Sequence, residues 1–225
     1  VKRLGLRSLV VSTEKDAHGQ EFTFTINGLT PFIMGANYIP EDCMPSRWSR
    51  QRTEALLRDC ADANFNMIRV WGGGFYPEEW FYDLCDETGL VLWAEIPYIT
   101  THMPNGKDNT MQQMTELIVQ NYNHPSIAVW GLSNEIDANG ANEADILDNH
   151  KMLNDLVHEM DKTRLTTMAV VSPCPPDHPY IDIPDTVSYN HYFGWYGGDV
   201  EDNGPWLDKF HAMHPDKCLG VSEYG

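Results

Sequence analysis

The chain has 225 residues, 42% hydrophobic and 21% charged, enough for one substantial core of the size an α/β barrel occupies. Its formal net charge of −18 disfavours nucleic acid and anionic membrane surfaces as partners, because phosphate recognition needs a basic stripe. No run approaches the ~20 apolar residues of a membrane span.

The first residues, "VKRLGLRSLVVSTEKD", carry basic side chains but only short apolar pieces and no cleavage site, so no signal peptide is expected. Across residues 1–30, "LGLRSLVV" and "EFTFTING" have period-2 character, and Asn27-Gly28 is a tight-turn signal. This segment reads as the end of a preceding β-sandwich with a hairpin entering the next domain, residues 31–225. There, short apolar runs alternate with helical spacing. The runs are residues 31–37, 66–71, 90–93, 127–130, 167–171, 187–190 and 218–221. Between them, Leu56, Cys60 and Ala63 mark one helical face, Met111, Met114, Leu117 and Ile118 a second, and Ile146, Leu153, Leu156, Val157 and Met160 a third. Asn142 with Asp145 predicts a capped helix start, and Gly89 a left-handed helix stop before a strand. The five cysteines, Cys43, Cys60, Cys85, Cys174 and Cys218, are odd in number and lack a CxxC pair. They read as reduced thiols of a cytoplasmic protein.

Strands alternating with helices imply parallel pairing, because parallel neighbours need a crossover. Arg69-Val-Trp71, Glu95, Asn134-Glu135, Asn190-His-Tyr192 and Glu223 all fall at C-terminal ends of the predicted strands. In a barrel those ends converge on one mouth. A doubly wound sheet would instead carry a Gly-rich phosphate loop, and "WGGGFYPEEW" is neither GxGxxG nor a P-loop. The expected fold is therefore an α/β (β/α)8 TIM barrel, with seven strands in this chain. An open barrel exposes strand edges, so the remainder of the barrel, a flanking β-sandwich domain or another copy in a homo-oligomer is an expected partner.

Two strand-end carboxylates, Glu135 on the fourth barrel strand and Glu223 on the seventh, face each other across such a mouth. Opposed carboxyls are what glycosidic cleavage requires. A Glu at a strand end also reads simply as a loop residue. "NHPSIAVWGLSNE" followed by "SEYG" resembles glycoside hydrolase family 2, the β-galactosidases, β-glucuronidases and β-mannosidases, and the resemblance covers nearly the whole chain. It implies a retaining exo-β-glycosidase with Glu135 as acid/base and Glu223 as nucleophile. It further implies that Asn134 bonds the sugar 2-hydroxyl, Arg69 pairs with Glu223, Tyr192 bonds the nucleophile and Tyr196 approaches substrate. His191, Trp195 and Tyr196 are equally readable as packed rim residues. Trp71, Trp93 and Trp130 offer either sugar-facing rings or barrel packing.

Residues 1–88 look like the β-mannosidase branch, and about 90–225 like β-galactosidases. Asn37-Tyr38 and Trp71-Gly72 stand where the galactosidase branch usually has His, which places Asn37 and Trp71 among the substrate contacts. Terminal β-galactosides are the expected substrate, with a β-mannosidase or a catalytically silent barrel fragment or chimera as alternatives. Some galactosidases bind magnesium through Glu-Thr-His. Here Thr100-Thr101-His102 lacks the carboxylate, so no metal or cofactor is expected and His102 reads as solvated.

Overall fold

The structure, a computed structural model, describes residues 4–225. Strands β1 (Leu9–Ser12) and β2 (Thr23–Ile26) form an antiparallel hairpin. The chain then runs through β3 (Gly35–Tyr38), α1 (Arg50–Asp62), β4 (Met67–Val70), α2 (Glu79–Thr88), β5 (Val91–Glu95), α3 (Lys107–Asn121) and β6 (Ile127–Asn134). It continues with α4 (Glu143–Met160), β7 (Leu165–Val171), β8 (Val187–Asn190), α5 (Asn203–Met213) and β9 (Leu219–Glu223). Strands β3 to β9 pair in chain order as one seven-stranded parallel sheet, the nearly closed wall of a TIM barrel. Between β7 and β8 the crossover holds only a 3₁₀ turn, Pro179–Asp182.

The strands are apolar on both faces because helices cover one side and the barrel interior fills the other. Alternate residues Ile68, Val70, Leu92, Ala94, Trp130, Leu132, Met168 and Val170 pack outward with Leu57, Phe81, Met114, Leu117, Leu153 and Val157 of the helices. The intervening Val91, Trp93, Val129 and Ala169 form a separate cluster with Phe24, onto which Leu9, Val11, Phe22 and Ile26 of the hairpin pack. The hairpin thus seals the apolar lower layer. Toward the C-terminal ends the same alternation places Asn37, Arg69, Glu95, Asn190 and Glu223 in the upper layer.

Several local expectations need correction. Helix α1 buries Thr53 and Leu57, whereas Leu56 and Ala63 are exposed, so its buried face is rotated from the one the apolar spacing suggested. Asn142 stands at the start of α4 but its side chain makes no cap, leaving Glu143 and Asp145 to complement the helix N-terminus. The fourth barrel strand continues through Gly131 to Asn134, all eight residues buried, rather than stopping at Trp130. His102 is not solvated. It is 6% exposed and bridges Tyr98 Oη and Asp145 Oδ2, each at 2.5 Å. The hairpin, the Asn27-Gly28 turn and the left-handed Gly89 appear as expected. Residues 1–3 of the expected lead-in lie outside the described residues. All five cysteines are unpaired, and among the described residues no helix is long and apolar enough to cross a membrane.

One buried charge ties α4 to the barrel. Asp161 accepts from Trp130 Nε1 at 3.0 Å, Arg164 Nη1 at 2.8 Å, and Thr163 N and Oγ1 at 2.9 and 2.6 Å. Burial opposes its ionisation, but these donors outweigh it and hold the carboxyl down at about 2. The contribution is complete above the ordinary carboxylate range and fades only as pH falls toward 2. Asp161→Ala strands the Trp130 and Arg164 donors and is expected to destabilise the fold by about 3 kcal/mol, read from urea denaturation at pH 7.

Candidate active site

The upper layer of the barrel is organised around Arg69 on β4, whose guanidinium is 4% exposed. A guanidinium carries five N–H donors in a fixed planar fork. Here Nε donates to Glu95 Oε2 at 3.2 Å, and Nη2 donates to Glu95 Oε1 at 2.9 Å and Asn134 Oδ1 at 2.6 Å. Nη1 donates to Glu223 Oε1 at 2.6 Å and Asn37 Oδ1 at 3.0 Å. Every N–H is committed, and the ring of Trp93 lies 5.1 Å from the guanidinium carbon. Burial works to discharge Arg69, but Glu95 and Glu223 overcome it and raise the group above its ordinary value. Burial also pushes Glu95 up against the pull of Arg69. The geometry argues for an ionic pair, since both Glu95 oxygens face donors and Oε1 also accepts from Gly72 N at 2.9 Å. Glycine at 131 makes room for this cluster. A Cβ there would lie 2.5 Å from Trp93 Nε1 and 2.8 Å from Glu95 Cβ.

Glu135 follows directly on β6. Its φ of +51° is left-handed, rare for a residue with a Cβ. The turn comes where the β6–β7 register shifts between Gly131 and Asn134, and Glu135 N donates to Ala169 O at 2.8 Å. Glu223 ends β9 opposite Asn190. One oxygen of Glu223 takes the Arg69 bond, and the other accepts from Tyr192 Oη. Burial, reinforced by Glu223, pushes the Tyr192 phenol up, so it remains a donor at neutral pH. Asn190 Nδ2 donates to Glu135 Oε1 at 2.9 Å and Asn134 Oδ1 at 3.3 Å. Hydrogen bonds therefore run from Glu135 through Asn190, Asn134 and Arg69 to Glu223. Both glutamates open on one cleft of about 770 Å³, lined also by Asn37, Trp71, Tyr192 and Tyr196.

Of the residues singled out from the sequence, Glu135, Glu223, Asn134, Arg69, Tyr192, Asn37, Trp71 and Tyr196 thus belong to this layer or its cleft. With Oδ1 of Asn134 held by two donors, its NH₂ group is the part left free for a ligand. His191 stands apart from the cleft. It is 3% exposed, stacked between Tyr189 and Phe193 with ring centroids at 5.1 Å each, and edge-on to Trp206 at 3.9 Å. Its Nδ1 lies 2.8 Å from Ser172 Oγ, and burial pushes the imidazole down to about 4, so it is neutral. Trp93 and Trp130 are buried core, which leaves Trp71 as the cleft tryptophan of the three. Sequence reasoning missed the roles of Glu95 and Asn190, although both stood at predicted strand ends. The signal was there: each is the last residue of a strand whose C-terminal end faces the mouth. Among the described residues, a His-carboxylate group able to hold a metal is Asp83, Asp86 and His124, on α2 and the loop before β6.

Comparison with known proteins agrees with this geometry. The family described as "Glycosyl hydrolases family 2, TIM barrel domain" matches residues 23–225. A β-glucuronidase of Bacteroides fragilis is 38% identical over 184 residues, 76% of this chain and 24% of that protein. A β-mannosidase of Bos taurus is 37% identical over 133 residues, 58% of this chain and 15% of that protein. Among solved structures, an FMN-binding β-glucuronidase from Facaelibacterium prausnitzii L2-6 superposes with a TM-score of 0.87 at 42% identity, over 99% of this chain and 33% of that one. A putative β-galactosidase from Bacteroides fragilis gives 0.86 at 28% identity, over 99% and 31%. The chain thus spans about a quarter or less of these curated relatives and about a third of these structures.

The fork of Arg69 gives a direct test. Lysine keeps the charge but has three donors on one atom, so Arg69→Lys leaves at least two of the bonds unmade in a dry site. The expected outcome is a loss of about 3 kcal/mol in urea denaturation. Arg164→Lys, with its guanidinium nearer the surface, is expected to cost about 1 kcal/mol in the same measurement.

Proposed function

Given that this chain belongs to glycosyl hydrolase family 2 and forms its TIM barrel domain, we propose that it carries both catalytic carboxylates of a retaining exo-β-glycosidase. The observation that carries this reading is that Glu135 and Glu223 line one cleft and are joined by hydrogen bonds through Asn190, Asn134 and Arg69. Glu223, oriented by Arg69 and Tyr192, attacks the anomeric carbon. Glu135 gives its proton to the leaving oxygen and then takes one from the water that hydrolyses the glycosyl ester. The free NH₂ of Asn134 donates to the sugar 2-hydroxyl, a bond that strengthens as positive charge develops on the ring. Carboxylates and water carry these steps.

The sugar is the finer point. Residues 90–225 favour a β-galactoside by their motifs, and a putative β-galactosidase superposes closely. The higher identities belong to proteins named β-glucuronidase, at 38% and 42%. The reading supported best is therefore a terminal β-glucuronide, with β-galactoside second and β-mannoside third. Aryl β-glucuronide, β-galactoside and β-mannoside assayed side by side on the full-length protein decide among them. The glucuronide is expected to be turned over at least ~100-fold faster, and a preference for either other sugar reverses the order. If none of the three is cleaved, the silent alternative stands.

Two substitutions assign the carboxylates. Glu223→Gly is expected to abolish turnover, with azide restoring it and giving an α-glycosyl azide. Glu135→Ala is expected to keep glycosylation by activated aryl glycosides, with azide giving the β product. Anomers found the other way round exchange the two roles, and full activity in either variant removes it from the mechanism.

A further inference from the structure

Asn190 was not among the residues the sequence singled out, yet its amide touches the acid/base candidate directly. Its Nδ2 has two hydrogens, one for Glu135 Oε1 at 2.9 Å and one for Asn134 Oδ1 at 3.3 Å. Its Oδ1 accepts from Ser222 Oγ at 2.6 Å. Asn134 Oδ1 already accepts from Arg69 Nη2, so it needs an N–H from Asn190 and fixes which way round the amide sits, while the Ser222 hydroxyl anchors the carbonyl end. The flipped amide would set a carbonyl oxygen against Asn134 Oδ1 and Glu135 Oε1, both acceptors. Asn190 is 1% exposed, so water cannot cheaply repair that mismatch.

This arrangement has a consequence for the acid proton. A protonated carboxyl has one carbonyl oxygen and one hydroxyl. Because Oε1 of Glu135 receives the Asn190 N–H, it takes the carbonyl role and the proton belongs on Oε2. The left-handed backbone at Glu135 carries the carboxyl into the cleft, so selecting the oxygen also selects the direction of transfer.

We propose that Asn190, oriented by Asn134 Oδ1 and anchored by Ser222, is a positioning residue that keeps the acid proton of Glu135 on Oε2, facing the glycosidic oxygen. In the first step that proton passes from Oε2 to the leaving oxygen as its bond to the anomeric carbon breaks and Glu223 forms the glycosyl ester. The Glu135 carboxylate left behind keeps the Asn190 donor on Oε1, and Oε2 is free to take a proton from the incoming water. The charged and titratable groups around Glu135 are Arg69 from β4, Glu95 from β5, His191 and Tyr192 after β8, Tyr196 on the cleft wall and Glu223 from β9. The variants below replace none of them.

The inference rests on Glu135 being the acid/base, and the test separates the two. Asn190→Ala, Ser222→Ala and the double variant of the full-length protein are compared on a dinitrophenyl glycoside, which needs little acid assistance, and on an alkyl glycoside, which needs it fully. Asn190→Ala is expected to lose about 30-fold in kcat/KM on the alkyl substrate and less than about threefold on the dinitrophenyl one. Ser222→Ala is expected to show the same pattern more weakly, and the double variant to be no worse than Asn190→Ala. If Asn190→Ala does not fold, Ser222→Ala carries the test alone. Equal losses on both substrates, or additive losses in the double variant, overturn the proposal. Should Glu135→Ala itself show no dependence on leaving group, the assignment of Glu135 falls; should it show that dependence while Asn190→Ala does not, only the present inference falls.

Discussion

A single buried guanidinium sets the geometry of this barrel's mouth. Arg69 joins four strands at once, reaching Asn37 on β3, Glu95 on β5, Asn134 on β6 and Glu223 on β9. A charge held this far from water is costly unless its partners are complete, and here all five donors are met. The planar fork leaves little freedom in where those four partners sit. Lysine, with one rotatable point charge, could neutralise the acids but could not fix their angles. The second carboxylate, Glu95, balances the cation without lining the cleft, and so leaves Glu223 to open on the cleft while Arg69 and Tyr192 orient it.

The layering of the barrel makes that arrangement tolerable. Below it, Phe24, Val91, Trp93, Val129 and Ala169 form a dry floor sealed by the hairpin. Outside it, helices cover the alternate residues of the same strands. The polar groups of the mouth stand at the C-terminal strand ends, where Arg69, Asn134, Asn190 and Glu223 find partners on other strands of the barrel. Parallel strands bring this about, because all their C-terminal ends lie at one rim. Residues far apart in the chain, such as Arg69 and Glu223, meet there at 2.6 Å.

The names attached to similar proteins differ, from β-glucuronidase to β-mannosidase and β-galactosidase, while the barrel superposes closely. The two observations are compatible. On the proposed reading Glu135 and Glu223 act at the anomeric centre, which β-glucuronides, β-galactosides and β-mannosides all present. Discrimination among sugars falls to groups reaching the rest of the ring, and a shared fold does not decide that.

Much of this was written in local pattern. Apolar runs alternating with helical spacing gave seven parallel strands, Asn27-Gly28 marked the hairpin, and Gly89 marked a helix stop. "SNE" and "SEYG" marked the strand ends that carry Glu135 and Glu223. These features were legible because each depends on residues near in sequence, through periodicity, turn conformation or capping. Local pattern failed where a neighbour from elsewhere chose the outcome. Helix α1 turned Leu57 rather than Leu56 inward, and His102 was drawn out of solvent by Tyr98 and Asp145. His191 went into an aromatic stack while Tyr192, next to it, reached Glu223. Most of all, the amide of Asn190 could not be assigned a direction from its own sequence. Its amide donates to Glu135 and Asn134 and accepts from Ser222, three positions on or just after two other strands, and only the barrel wall brings these donors and acceptors within reach.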